Sequence, residues 1–332
     1  MQRGKIMTED SSIELVALGR SGLTVPRLCF GSSALGDMPN TYGYSVDEER
    51  ARQTVRAIFD GPAKFIDVSR NYGAGRSEAR IGDVIRERGG LPEGVVLSTK
   101  LDRDMETGRF DADRARRSLE ESLKALNLDR IPLLHLHDPE YAAVLDEVTR
   151  ADGAVDELFK IKEEGLASAV GLAAGRVDVM LPILQTWDFD ALITHNRYTL
   201  LNRHANSMID LAQNKGMAVL NAAPYCGGVF AKGTAAHPRY VYQDADDRML
   251  APVREVEALC ARHEVPPGAL ALQFSMRDRR ITSTICGVSK PERVQQTVDW
   301  AAWPISDVVW QEIAGIPFST DDPEATRVYK PD

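Results

Sequence analysis

Four side chains in the first half of the chain have the types and order needed to move a proton to or from a carbonyl or alcohol oxygen. Asp67 ends the apolar run Phe65-Ile66-Asp67, and Tyr72 follows on a glycine-punctuated loop, Tyr72-Gly73-Ala74-Gly75. Lys100 ends the run 94–100 and His137 ends the run 131–137. A tyrosine with its ordinary pKa of about 10 is a poor acid–base catalyst at neutral pH, but a buried ammonium beside it favours phenolate. Lys100 is therefore expected to lower the pKa of Tyr72, with Asp67 keeping Lys100 charged and in place. His137 is expected to donate a hydrogen bond that orients the substrate oxygen. In isolation Asp67 would read as the cap of a strand-to-helix turn, and only its company downstream favours chemistry. No activated serine or cysteine arrangement accompanies the set, which excludes covalent hydrolysis.

The elements that must position these groups alternate regularly. A hairpin (13–18 and 23–26) precedes strands at 27–31, 64–67, 94–100, 131–137, 168–172, 191–195, 217–222 and 281–285. Helical patterns follow each strand. One begins near Val46, where Ser45 and Glu48 have capping-box spacing. Another begins near Glu78 behind Ser77, and one over 291–302 completes the count. Eight short apolar strands, each followed by a helix, predict a single (β/α)8 TIM barrel whose N-terminal hairpin closes the bottom. An open doubly wound sheet would want a glycine fingerprint after its first strand, and Gly31-Ser32-Ser33-Ala34-Leu35-Gly36 does not supply one. In a parallel barrel, chemistry gathers at the C-terminal ends of the strands, so Asp67, Tyr72, Lys100 and His137 are expected to meet in one quadrant of one rim.

At 332 residues the chain suits one large barrel, divided here into a polar tail (1–12), the barrel (13–316) and a C-terminal tail (317–332) near the substrate site. The hydrophobic fraction of 43% and charged fraction of 27% are those of a globular chain. A net charge of −9 with no basic stripe argues against nucleic acid and anionic membranes as partners. No run approaches a membrane span, and the polar start lacks the apolar core of a signal peptide. Cys29, Cys226, Cys260 and Cys286 match no metal or redox spacing and read as buried small hydrophobes, so the cytoplasm is the expected compartment. Oligomeric state leaves no mark in the sequence.

The motifs around the four polar residues resemble those of the aldo-keto reductases across essentially the whole chain. They are the Asp-x-x-x-x-Tyr-Gly spacing from Asp67, Ser98-Thr99-Lys100, Leu134-His135-Leu136-His137-Asp138-Pro139, Tyr198-Thr199-Leu200-Leu201-Asn202-Arg203 and Gly287-Val288-Ser289-Lys290-Pro291-Glu292-Arg293. The resemblance implies that Tyr72 donates or accepts the proton, that Asp67 and Lys100 tune it, that His137 orients the carbonyl, and that hydride moves to or from NAD or NADP. Leu18-Gly19-Arg20-Ser21-Gly22-Leu23, His137-Asp138-Pro139 and Asn221-Ala222-Ala223-Pro224 are similar to the aldose 1-dehydrogenase branch. That branch oxidises a cyclic sugar at its anomeric carbon. The implied alternatives are a general NADPH-dependent carbonyl reductase and a nicotinamide-binding regulatory subunit.

For the cofactor, the resemblance implies contacts from Gly31, Ser32, His195, Ala222, Tyr225, Gly287, Ser289, Lys290, Arg293, Gln296 and Thr297. Ala173-Ala174 stands where many members hold the carboxamide with Ser-Asn. Ala222 stands where many place an aromatic, His195 where a glutamine is usual, and Thr297 where an asparagine is common. One arginine and one neighbouring lysine, Arg293 and Lys290, leave NADP and NAD both open.

His135 and His137 lie two apart on one strand, so both are expected to face the barrel interior, where an H-x-H pair can bind metal, which makes a metal-dependent barrel hydrolase the rival from another class. The strands over 168–172 and 281–285 offer no further ligands, so no metal is expected and His135 reads as a hydrogen-bonded core residue. Arg70, Asn71, Tyr42, Tyr44 and Phe110 lie on loops where they could meet a sugar, or could serve only their own loops. Substrate choice is expected to reside in loops 37–44, 102–110 and 225–247 and in the tail from Phe318.

Overall fold

A computed structural model of the chain describes residues 13–327, so the polar tail 1–12 and the last five residues lie outside the described part. Strands β1 (Leu15–Ala17) and β2 (Thr24–Pro26) form the antiparallel hairpin. Eight parallel strands then close the barrel: β3 (Leu28–Gly31), β4 (Phe65–Asp67), β5 (Val96–Leu101), β6 (Ile131–His137), β7 (Ala167–Ala173), β8 (Ala191–His195), β9 (Ala218–Ala222) and β12 (Ser283–Gly287). Two short strands, β10 (Arg239–Tyr240) and β11 (Gln243–Asp244), make a ribbon inside the long insertion before β12. The expected barrel is thus the observed one, closed where β12 pairs β3 on one side and β9 on the other.

The bottom is closed as the hairpin's glycine turn suggests. Leu18 and Val25 are fully buried with Cys29, Phe65, Leu133 and Ala218 in a cluster inside the barrel. Gly19 (φ +53) lies so close to the starts of β8 and β9 that a Cβ there would sit 2.6 Å from the Asp190 carbonyl oxygen. The larger apolar cluster fills the space between strands and helices, as the two-layer logic of the fold requires.

Several helix starts differ from expectation. The helix Glu48–Asp60 is capped by Asp47, whose Oδ1 accepts from Arg50 N at 2.8 Å, so Ser45 and Glu48 do not form the expected box. An aspartate beside two acidic first-turn residues, Glu48 and Glu49, serves the same donors better than the serine two residues earlier. The helix Arg76–Glu87 begins at Gly75, in a left-handed conformation, and Ser77 lies inside it, donating to the Ser32 carbonyl at 2.9 Å. The last barrel strand lies two residues later than 281–285, and an extra helix, Asp307–Ala314, follows the expected final one.

Candidate active site

The C-terminal ends of β4, β5 and β6 present polar side chains in two layers, because residues two apart on a strand point the same way. The lower layer holds Asp67, Ser98, Lys100 and His135. Lys100 Nζ donates to both Asp67 oxygens, at 2.9 and 2.8 Å, and to the Val68 carbonyl at 2.6 Å. Ser98 Oγ donates to Asp67 Oδ1 at 2.9 Å and lies 3.2 Å from His135 Nδ1. The upper layer holds Ser69, Asp102 and His137, each two residues beyond a lower-layer group. His137 Nδ1 is 2.6 Å from Asp102 Oδ1, and Ser69 Oγ donates to Asp102 Oδ2 at 2.7 Å.

Tyr72 joins the layers from its loop. Its hydroxyl is 3.3 Å from Lys100 Nζ, and its ring meets the His137 ring edge-on with centroids 6.1 Å apart. The loop is pinned by a close backbone approach: a Cβ on Gly73 (φ +59) would fall 1.9 Å from the Gly36 carbonyl oxygen. Only glycine permits both that approach and that φ, which is why Tyr72 is followed by glycine.

Asp67, Tyr72, Lys100 and His137 thus line one solvent-open cleft, the four residues expected to meet there. The expected lowering of the Tyr72 pKa is overturned: burial, then the Asp67 carboxylate, push the phenol well above its ordinary value. The Lys100 ammonium lies closer to Asp67 than to Tyr72 and makes two bonds to it, so its charge is largely matched before it reaches the phenol. Burial pulls the His137 imidazole down, but Asp138 and Asp102 outweigh it and leave the ring's pKa raised. His135 goes the other way, well below its ordinary value, through burial and then Lys100. Its ring packs on Gly171, where a Cβ would come within 2.4 Å of it. Among the described residues no group of three or more His, Cys, Asp or Glu side chains could hold a metal ion.

Of the residues expected at the cofactor, Gly31, His195, Ala222 and Gly287 line the same cleft as Tyr72. Tyr225, Ser289, Arg293 and Thr297 line an adjoining lobe that shares Tyr42, Ala223, Tyr242 and Gly287 with the first. Ser32, Lys290 and Gln296 lie elsewhere. Ser32 is fully buried and donates to the Asp67 carbonyl at 2.8 Å, tying β3 to β4. Lys290 is exposed at the start of the helix Pro291–Ala301, and Gln296 accepts from Arg293 on that helix. The outer lobe carries two cations, Lys232 and Arg293, with the hydroxyls of Tyr44, Ser289 and Thr297 and no carboxylate among its lining residues. Burial, then Arg293, lower the Lys232 pKa. A basic, hydroxyl-lined lobe joined to a small-residue cleft fits a phosphate-bearing dinucleotide.

The structure adds residues that the sequence did not single out. Asp102 and Ser69 sit two positions past Lys100 and Asp67, a spacing that strand periodicity could have revealed. Tyr242 and Arg327 line the cleft from the insertion and the C-terminal segment, stacked with the guanidinium 4.9 Å from the ring centroid. Glu324 accepts from Asn196 at 2.7 Å and lies 3.2 Å from His195 Nε2, so that histidine already faces a carboxylate. The described part of the tail therefore lies beside the cleft. Tyr42 and Asn71 line the cleft and Tyr44 the outer lobe. Arg70 instead pairs with Glu78 and Glu121, and Phe110 is wholly buried.

Residues 27–317 match the aldo/keto reductase family. The chain is 28% identical to pyridoxal 4-dehydrogenase of Microbacterium luteolum, an alignment covering 89% of this chain and 94% of that one. It is 26% identical to D-threo-aldose 1-dehydrogenase of a Pseudomonas species, covering 90% and 96%. It is 28% identical to L-galactose dehydrogenase of Arabidopsis thaliana, covering 87% and 88%. In fold it resembles the holo form of an aldo-keto reductase from Bacillus halodurans, with a TM-score of 0.74 at 21% identity over 95% of this chain and 100% of that one.

Proposed function

The chain belongs to the aldo/keto reductase family, an NAD(P)-dependent oxidoreductase group, and from that premise we propose that it oxidises an aldose at its anomeric carbon. The observation that carries this reading is the buried line Asp67–Lys100–Tyr72, ending at a hydroxyl on the cleft beside His137. Dehydrogenases among the relatives, two of them named for sugars, support the same direction.

In this reading the substrate oxygen sits between Tyr72 and His137. Lys100 donates toward the phenol oxygen and stabilises negative charge there as the proton moves. Tyr72 takes the proton of the anomeric hydroxyl in oxidation and returns it to the carbonyl oxygen in reduction. His137 holds that oxygen by a hydrogen bond, and Asp138 and Asn71 line the same cleft within reach of neighbouring hydroxyls. Ser289, Arg293 and Lys232 would hold the dinucleotide's phosphates, and the short side chains of Ala173, Ala222 and Gly287 would face its ring. Once bound, the nicotinamide supplies the hydride chemistry.

The raised Tyr72 pKa favours a second reading, reduction of simple aldehydes or ketones, because a phenol at neutral pH is ready to give a proton rather than take one. Absorbance at 340 nm separates the two. NAD and NADP are offered with a panel of aldoses, and the reduced cofactors with simple aldehydes. Sugar-dependent cofactor reduction, lost in Tyr72→Phe, supports the aldose reading. Consumption of reduced cofactor with aldehydes alone would replace it with the carbonyl reductase.

A further inference from the structure

Asp102 is a buried carboxylate at the barrel mouth to which the proposed chemistry gives no role. It follows β5, is 2% exposed, and lies behind His137 rather than on the cleft. Its placement is over-determined. Oδ1 meets His137 Nδ1 at 2.6 Å, Oδ2 accepts from Ser69 Oγ at 2.7 Å and from the Asn71 N–H at 3.0 Å, and its own N–H donates to Ser118 Oγ at 2.9 Å.

We infer that Asp102 is the positioning residue for His137: it pins the ring through Nδ1–H and makes Nε2 a hydrogen-bond donor toward the substrate oxygen. The inference rests on the aldo-keto reading of the cleft. An ionised carboxylate only accepts, so the hydrogen on Nδ1 is fixed. A neutral ring would then offer an acceptor lone pair at Nε2, and only the imidazolium donates from both nitrogens.

The groups facing the ring favour that charge. Asp102 is on one side and Asp138 Oδ2 lies 3.6 Å from Nε2, against the opposing charge of Lys100 and the neighbouring rings of Tyr72 and His135. The same strand contains the control. Each Nδ1 has a serine hydroxyl 3.2 Å away, Ser98 at His135 and Ser69 at His137, but only His137 adds a carboxylate there, and the pKa of the fully buried His135 falls well below the ordinary value where that of His137 rises. Two histidines of one strand are thus shifted in opposite directions, His137 by the carboxylates of Asp138 and Asp102, which His135 lacks.

The test uses the full-length protein. Histidine 15N resonances are followed against pH in wild type, Asp102→Asn and Ser69→Ala, with His137→Gln for assignment. The midpoint of His137 is expected to fall in Asp102→Asn. It is expected to rise in Ser69→Ala, because losing a donor makes the Asp102 carboxylate more basic. Opposite shifts are not produced by loosened packing alone. In turnover, Asp102→Asn is expected to lose about 10- to 100-fold in kcat with little change in KM, its pH profile moving with the resonance midpoint. A His137 midpoint unmoved in an Asp102→Asn protein that melts as wild type would overturn the assignment. If Asp102→Asn does not fold, Ser69→Ala decides: a rise supports the pairing and no shift sinks it. Because the titration needs no substrate, a protein inert toward sugars would refute the proposed function while leaving this result readable.

Discussion

The two walls of the cleft are built on opposite principles. At the ends of β4, β5 and β6, Asp67, Lys100 and His137, with Asp102 behind His137, are each no more than 8% exposed, and each is held by charged or hydroxyl partners from a neighbouring strand or loop. At the ends of β7, β9 and β12, the lining includes Ala173, Ala174, Ala222, Ala223 and Gly287, with Ile193 and His195 from β8 and Ile285 from β12 between them, and a Cβ added to Gly287 would meet nothing within 4 Å. The first wall is preorganised, its dipoles fixed before any substrate arrives. The second is shaped mostly by alanines and a glycine, side chains too short to fill it. Chemistry should therefore fail through the first wall and binding through the second.

The largest expected break is Tyr72→Phe. Removing one oxygen from the first wall should cost about 100- to 10,000-fold in turnover, while cofactor binding, read from the fluorescence of Trp300 in the outer lobe, stays near wild type. Comparable losses in turnover and cofactor affinity would erase the division of labour. The wild-type pH profile sharpens the same point. Because burial and Asp67 raise the Tyr72 pKa, reduction should hold through neutral pH and fall only in alkali, whereas oxidation should climb with pH.

Asp67→Asn tests whether the first wall is also structural. It leaves the Lys100 ammonium, 1% exposed, without its carboxylate, and breaking a buried pair from one side costs about 3–5 kcal/mol. Chemical denaturation should show that loss. A denaturation midpoint within error of wild type would mean that Val68 and Tyr72 suffice to hold the ammonium.

The two walls were also unequally legible in the sequence. Strand order and the positions of Asp67, Lys100 and His137 could be read directly, because apolar runs ending in a charged or imidazole side chain become rim positions in a parallel barrel. Tyr72 was legible through Gly73. The second wall was not, since alanine and glycine mark backbone space rather than chemistry. Ser32 and Gln296 followed the family pattern, but the fold gives them hydrogen bonds to the Asp67 carbonyl and to Arg293. The sign of the Tyr72 shift escaped because it depends on whether Lys100 is nearer its carboxylate or the phenol, a difference of a few tenths of an ångström. The tail's contact with His195 joins residues 129 positions apart, and local pattern carries no trace of it.

A smaller effect is expected from the outer lobe. Arg293→Ala removes one of its two cations. A charged hydrogen bond of about 1.5–3 kcal/mol corresponds to a loss of roughly 10- to 100-fold in cofactor Kd. Turnover at saturating cofactor should change little. A fall in turnover with unchanged cofactor affinity would place Arg293 with the first wall instead.

The smallest effect belongs to the tail, which touches the second wall from outside. Glu324 meets His195, Arg197 and Arg327, the last at 2.7 Å. Burial opposes its charge, but these three partners outweigh the penalty and hold its carboxyl well below the usual range. The stability so gained is present above the ordinary glutamate pKa and is lost only as pH falls through the depressed value. The tail is therefore expected to stay clamped at neutral and mildly acidic pH. Glu324→Gln keeps an acceptor for Asn196, and Arg197 retains Asp322 at 2.7 Å, so the loss should be about 1–2 kcal/mol and local to the tail. Limited proteolysis should cut the variant sooner after residue 317, and KM should rise a few-fold with kcat unchanged, since Arg327 lines the cleft but touches none of the proton-moving groups. A fall in kcat instead would mean that the tail orders the first wall, and the two walls would have to be treated as one unit.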